Sequence, residues 1–270
     1  MDDLTALARL LDALRPWLGH VVIIGGWAHR LHRFHPLSHP PRYAPLRTKD
    51  ADVAFSISAP LAGDIAAALK AAGFHEDFSG EHTPPITQYR LGGGDQGFFA
   101  EFLAPLQGSG FKRNGQPDVT VAKAGVTAQK LRHLDLLLVD PWGVQLTKEI
   151  GVPVTSAVNV MLPNPVTFIA QKLLIQEHRK ADKKAQDALY IHDTLELFGG
   201  ELTDLNTLWR QKVRPTLHDK TARAVEELQR EHFGAVTDVI RNAARIPQDR
   251  VVTAERIQAA CAYGLGEIFG

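Results

Sequence analysis

The sequence predicts an α/β domain over about residues 1–160 followed by a helical domain over 161–270, and three observations carry this. A short apolar run, HVVIIGG, stops at a glycine pair and gives way to a helical pattern. A second run, KDADVAFSI, alternates with the period of a strand. Past Pro163 and Pro165, apolar residues recur at helical spacing, with turn signals at Gly199–Gly200, Pro215 and Pro247.

In chain order, Leu4, Leu7, Leu11 and Leu14 recur at helical spacing, and Pro16 ends that first helix. HVVIIGG follows as a buried strand. WAHRLHRFH then reads as a helix with Trp27, Leu31 and Phe34 on one face. The segment PLSHPPRYAPLR holds four prolines and is read as a loop, long enough to be functional. In KDADVAFSI, Val53, Phe55 and Ile57 point one way, while Asp50, Asp52, Ala54 and Ser56 point the other. LAGDIAAALKAAGF is predicted as a helix closed by Gly73. ITQYRL, GFFAEFL, DVTVA, HLDLLLV, GVQLTK and VPVTSAVNVML are predicted as strands.

Bulk properties narrow the function classes. Thirty basic and thirty acidic side chains cancel, so no global charge draws the chain onto nucleic acid or membrane. A single cysteine, Cys261, excludes an intrachain disulfide and a thiolate zinc site. The N-terminal stretch is acidic and amphipathic, unlike a signal peptide, and no apolar run approaches the ~20 residues of a membrane span. A soluble cytoplasmic protein is expected.

The chemistry-bearing residues are few. Asp50 and Asp52, at i and i+2 on one strand, share a face and can reach one divalent metal or a metal pair. A solvent-facing strand carries the same spacing without function. Glu101, in GFFAEFL, has Ala100 and Phe102 as neighbours and shares its face with Phe99 and Leu103. A carboxylate there needs either a metal shared with the Asp pair or a basic partner such as Arg90. Gly25–Gly26, where a strand meets a helix, allows backbone N–H groups to approach a phosphate closely, although a plain tight turn uses the same pair.

IIGGWA, RTKDADVAF and AEFLAPL together resemble the signature of the nucleotidyltransferase superfamily, and within it the bacterial uncharacterised nucleotidyltransferases and AbiEii-like toxins. The resemblance covers roughly residues 20–105. It implies a mixed sheet flanked by helices, with Gly25 and Gly26 on the triphosphate. Asp50 and Asp52 then bind Mg2+ (or Mn2+), and Glu101 stands where the third acid stands. Trp27 after the glycines and the Pro/His-rich insert depart from the common pattern. The resemblance also extends to Lys172 and Asp187, which complete the nucleotide site in the toxin-like group.

Other residues take their places around this reading. Arg47 can pair with phosphates, Thr48 shares the aspartate side, and Lys49 points away. Lys172 has Phe168, Ile169 and Ile175 as helical neighbours, so it snorkels or reaches into a cleft. His29, His32 and His35 step around a helix by threes and do not converge on one ion; they are read as a polar face near the active cleft.

The function expected is metal-dependent transfer of an NMP from an NTP to an acceptor hydroxyl, with pyrophosphate released. A tRNA end, a protein side chain and a small molecule are the acceptor classes, and an antitoxin is a possible partner. A tRNA acceptor requires a basic surface from Arg42, Arg47, Lys112, Arg113, Lys172, Arg179, Lys180, Lys183 and Lys184. The alternative is a non-catalytic module that keeps the fold.

Overall fold

A computed structural model describes residues 2–79, 84–92, 97–113 and 115–270. The chain divides into two compact units: residues 1–35 with 47–162, and residues 36–46 with 163–270.

The first unit opens with α1 (Asp3–Ala13), whose N-terminus is capped by Asp2 accepting from the Thr5 N–H at 2.8 Å. Leu7, Leu10 and Leu11 bury its apolar stripe, and the helix stops before Pro16. Strand β1 (Val22–Ile24) runs directly into α2 (Gly25–Leu31), so the helix begins at the glycine pair itself. β2 (Asp50–Ala54) precedes α3 (Ile65–Ala71). Asp64 caps α3 through the Ala67 N–H at 2.9 Å, which excludes residues 61–63 from the predicted helix. β3 (His75–Ser79), β4 (Ile86–Leu91), β5 (Phe98–Pro105), β6 (Thr120–Lys123) and β7 (Val126–Leu131) complete one sheet.

That sheet runs β1-β2-β5-β4-β3, and β7 adds to the far half of β5 and carries β6. It is mixed: β2 and β7 lie parallel to β5, while β1/β2, β3/β4, β4/β5 and β6/β7 are antiparallel. β8 (Trp142–Leu146) and β9 (Val158–Leu162) form a separate antiparallel pair. The alternation read in β2 holds as far as Phe55; the strand ends at Ala54, and Ile57 leaves the core face for solvent.

Three expectations need correction. HLDLLLV is not a strand: Asp135–Leu138 form a 3-10 turn, and Leu134 and Leu137 pack onto Val22, Ile24, Ala54 and Leu103. A continuous apolar run looks the same in either conformation, because burial on all sides removes the alternation that distinguishes them. The strands β3 and β7 were not expected, since HEDFS and VTAQKL carry too many polar residues. His29 and His32 do not form a polar face; they are buried with Trp27, Ala28 and Leu31, while half-buried His35 stacks on Trp142 at 4.3 Å.

The second unit is helical: α4 (Pro165–Ile175), α5 (Ala181–Leu197), α6 (Leu202–Leu208), α7 (Asp219–Phe233), α8 (Asp238–Ala244) and α9 (Ala254–Phe269). Asn164 caps α4, with Pro165 at its first position, where the missing N–H costs nothing. The glycine and proline signals fall between helices as read. The Pro/His-rich segment 36–46 is fastened to this unit. The His39 N–H bonds Leu197 O at 2.8 Å, the Ala44 N–H bonds Asp249 at 2.7 Å, and the Tyr43 hydroxyl donates to Glu196 at 2.5 Å. Among the described residues, no helix is long and apolar enough to cross a membrane.

Candidate active site

Sheet register assembles the first group of residues. Asp52 pairs with Ile24 of β1 on one side and with Glu101 of β5 on the other. Asp50 lies two residues back on the same face. The glycine pair begins one residue after Ile24, so the α2 N-terminus is set beside Asp52. The approach is tight: a Cβ on Gly25 would lie 2.3 Å from Asp52 Oδ2, and Gly25 has φ +65°. Only glycine meets both demands without strain. Gly25, Asp52 and Glu101 are therefore neighbours across three strands, although they are 76 residues apart along the chain from first to last.

The acids sit on the half-open side of the sheet. Ala51, Val53, Ala100 and Phe102 are buried beneath them, with Trp27 and Phe74 packed edge-on against Phe98. Thr48, itself buried, donates its hydroxyl hydrogen bond to Asp50 Oδ1. Glu101 accepts from Gln88 Nε2 on β4. Burial pushes the Glu101 carboxyl above its ordinary range and the nearby Asp50 charge adds to this, against the Gln88 hydrogen bond and the more distant Arg90. Arg90 is not the direct ion-pair partner considered above, for it pairs with Asp77 at 2.8 Å and reaches Glu101 through Gln88. Gln88 escaped notice in the sequence, where one amide in ITQYRL carries no signal without the register.

Three carboxyl groups gather beside the start of α2, and the hydrogen-bond partners of Asp50 and Glu101 are the neutral Thr48 and Gln88. All their donors are hard oxygens, the set that suits Mg2+ or Mn2+, so the group fits a divalent cation. As placed, the three do not converge: Asp50 is turned to Thr48 and Glu101 to Gln88. Among the described residues, the trio whose ligand atoms lie within 4.8 Å of one another is His192, Asp193 and Glu196 in the helical unit. Its charges are already met by protein groups. Arg250 bonds Asp193 at 2.5 Å, Arg256 bonds Glu196 at 2.9 Å, and Arg250 stacks 3.4 Å from the Tyr43 ring.

The other expected site residues are distributed between the units. Arg47 is exposed, and its charge opposes that of half-buried Arg30. Lys172 and Asp187 belong to the helical unit, where they bond each other at 2.6 Å, both about 5% exposed. Lys172 lies between the Phe168 and Tyr190 rings at 4.8 and 4.7 Å, and Arg179 adds a second cation to Asp187 at 3.2 Å.

Against known proteins, a nucleotidyltransferase family profile matches residues 2–214. No curated protein matches the chain.

Proposed function

The chain belongs to the nucleotidyltransferase family, and from that premise we propose that it transfers an NMP from an NTP to an acceptor hydroxyl, releasing pyrophosphate, with metal held by Asp50, Asp52 and Glu101. The observation that supports this reading is the register that sets Asp52 between the Ile24–Gly25 junction and Glu101. In this reading the glycine pair that would receive phosphate and the hard-oxygen donors lie side by side on the sheet.

Bound Mg2+ or Mn2+ would supply Lewis-acid stabilisation of the negative charge that gathers on the phosphate oxygens. The rest falls to the chain. Gly25 and Gly26 offer a backbone surface that a triphosphate can approach, favoured by the positive end of α2. Thr48 holds Asp50 in one rotamer, and Arg47 is free at the surface to meet a phosphate. The acceptor oxygen forms its bond to the α-phosphorus as the bond to the bridging oxygen breaks. Pyrophosphate takes that oxygen, and the hydroxyl proton passes to water. Lys172 and Asp187 enter the proposal as the buried pair that orders α4 against α5, with nucleotide contact implied by the family resemblance alone. A tRNA end or a protein side chain as acceptor, an antitoxin partner and a cytoplasmic setting belong to the toxin-like end of this reading.

The direct test supplies each α-labelled NTP with Mg2+ or Mn2+ and three acceptor classes: bulk tRNA, the protein itself and a small polyol. Label moving to one acceptor with stoichiometric pyrophosphate, abolished by Asp52→Asn, is the expected result. Nucleotide that binds through Asp52 yet never loses pyrophosphate would instead establish the chain as a binding module.

A further inference from the structure

The sheet carries a line of hydrogen bonds that the reading above does not use. It starts at Asp77 on β3, which accepts from Arg90 Nε at 2.8 Å. Arg90, on β4, donates from Nη2 to Gln88 Oε1 at 2.7 Å. Gln88 Nε2 in turn donates to Glu101 Oε1 on β5. Gln88 and Glu101 face each other in the antiparallel register, so their side chains leave the same side of the sheet. Arg90 also lies over the Phe99 ring at 5.3 Å, which restrains its guanidinium from a second direction.

Chemistry fixes the polarity of this line. A guanidinium can only donate, and an ionised carboxylate can only accept. The amide between them must therefore turn its oxygen to Arg90 and its NH2 to Glu101. The side-chain amide alone among the residues of this length supplies an acceptor at one end and a donor at the other. Glutamate at 88 would meet Glu101 with like charge, and lysine would meet Arg90 with like charge.

From this the geometry points to Gln88 as the positioning residue of the third acid, holding Glu101 Oε1 so that Oε2 is left to take the divalent cation. The inference rests on the proposed function, since it assumes that the acids bind metal. Gln88 touches neither metal nor nucleotide in this account; it acts through Glu101, and Arg90 and Asp77 act through Gln88.

The test measures Mn2+ affinity of the full chain by water-proton relaxation, with no nucleotide present, in a double-mutant cycle. Wild type, Gln88→Leu, Glu101→Gln and the double variant are compared, with Arg90→Met as a fifth sample. Loss of a group that orients a metal ligand typically weakens binding by about 10–100-fold. Gln88→Leu is expected to fall in that range, Arg90→Met to show a smaller loss, and Gln88→Leu to add nothing once Glu101 is Gln. Equal losses in both backgrounds would make Gln88 a packing residue and overturn the inference, as would unchanged affinity in Gln88→Leu. Absence of Mn2+ binding by the folded wild type would overturn the metal reading itself, and the inference with it.

Discussion

The two units treat buried charge in opposite ways. In the helical unit each buried charge is answered by the protein. Asp187 has Lys172 and Arg179, Asp193 has His192 and Arg250, and Glu196 has the Tyr43 hydroxyl and Arg256. In the α/β unit, Asp50 and Glu101 have the neutral partners Thr48 and Gln88, and Arg90 is one step removed from Glu101. A matched set has satisfied its own electrostatics and serves the fold. Carboxyls held by neutral partners cost stability unless a cation arrives, and the proposed metal site rests on that pattern at Asp50 and Glu101. The comparison also separates two clusters that composition alone would confuse, because the metal-like trio His192–Asp193–Glu196 is the matched one.

The contrast can be broken most forcefully in the helical unit. Asp187→Ala leaves the Lys172 ammonium buried between two rings without its carboxylate, and stranding one partner of a buried pair costs about 3–5 kcal/mol. A chemical denaturation series should show that loss; under about 1 kcal/mol would mean the pair is not matched as described. Gly25→Ala comes next, at about 2 kcal/mol, because it combines a positive φ with a Cβ that displaces the Asp52 carboxylate. It should also lower Mn2+ affinity, since Asp52 has to move. Tyr43→Phe removes one charge-assisted hydrogen bond to Glu196 and is expected to cost about 1.5–3 kcal/mol if the phenol is fully committed, less as solvent replaces it. Its clearest readout is amide exchange in segment 36–46, which should speed up.

The smallest effects belong to the metal-free acids. Asp50→Asn relieves like-charge crowding, so metal-free protein should be unchanged or slightly stabilised, where a matched carboxylate would be missed. For Glu101 the sign follows from its raised carboxyl. The folded state keeps a proton that the unfolded state gives up near its ordinary value of 4.5. That contribution to stability is fully present below 4.5 and is lost as pH rises through the higher folded value. Denaturation midpoints measured in chelator across this window should therefore decline with pH, and Glu101→Gln should flatten the decline.

How far the sequence could be read depends on how local the signal is. The i, i+2 spacing of Asp50 and Asp52 and the strand-to-glycine junction are properties of a few consecutive residues, and both survive in the fold. Glu101 is legible because it interrupts an apolar strand. Gln88 was not found, because its meaning lies in the β4/β5 register, which is set by pairing between distant segments. Burial of His29 and His32 was hidden for a related reason: a short helix between sheet and core is covered on more than one side, and polar spacing cannot show that. The fastening of segment 36–46 by Tyr43 is likewise a long-range event, between residues 153 apart.

The measurement closest to the central claim is thermal stabilisation by each of the four NTPs with Mg2+, in wild type and in Asp50→Ala/Asp52→Ala. A ligand that binds the native state alone raises its melting temperature by mass action. The account predicts a rise with at least one NTP that requires Mg2+, and its loss in the double variant without loss of the fold. Wild type that melts at the same temperature with every NTP and Mg2+ would contradict it.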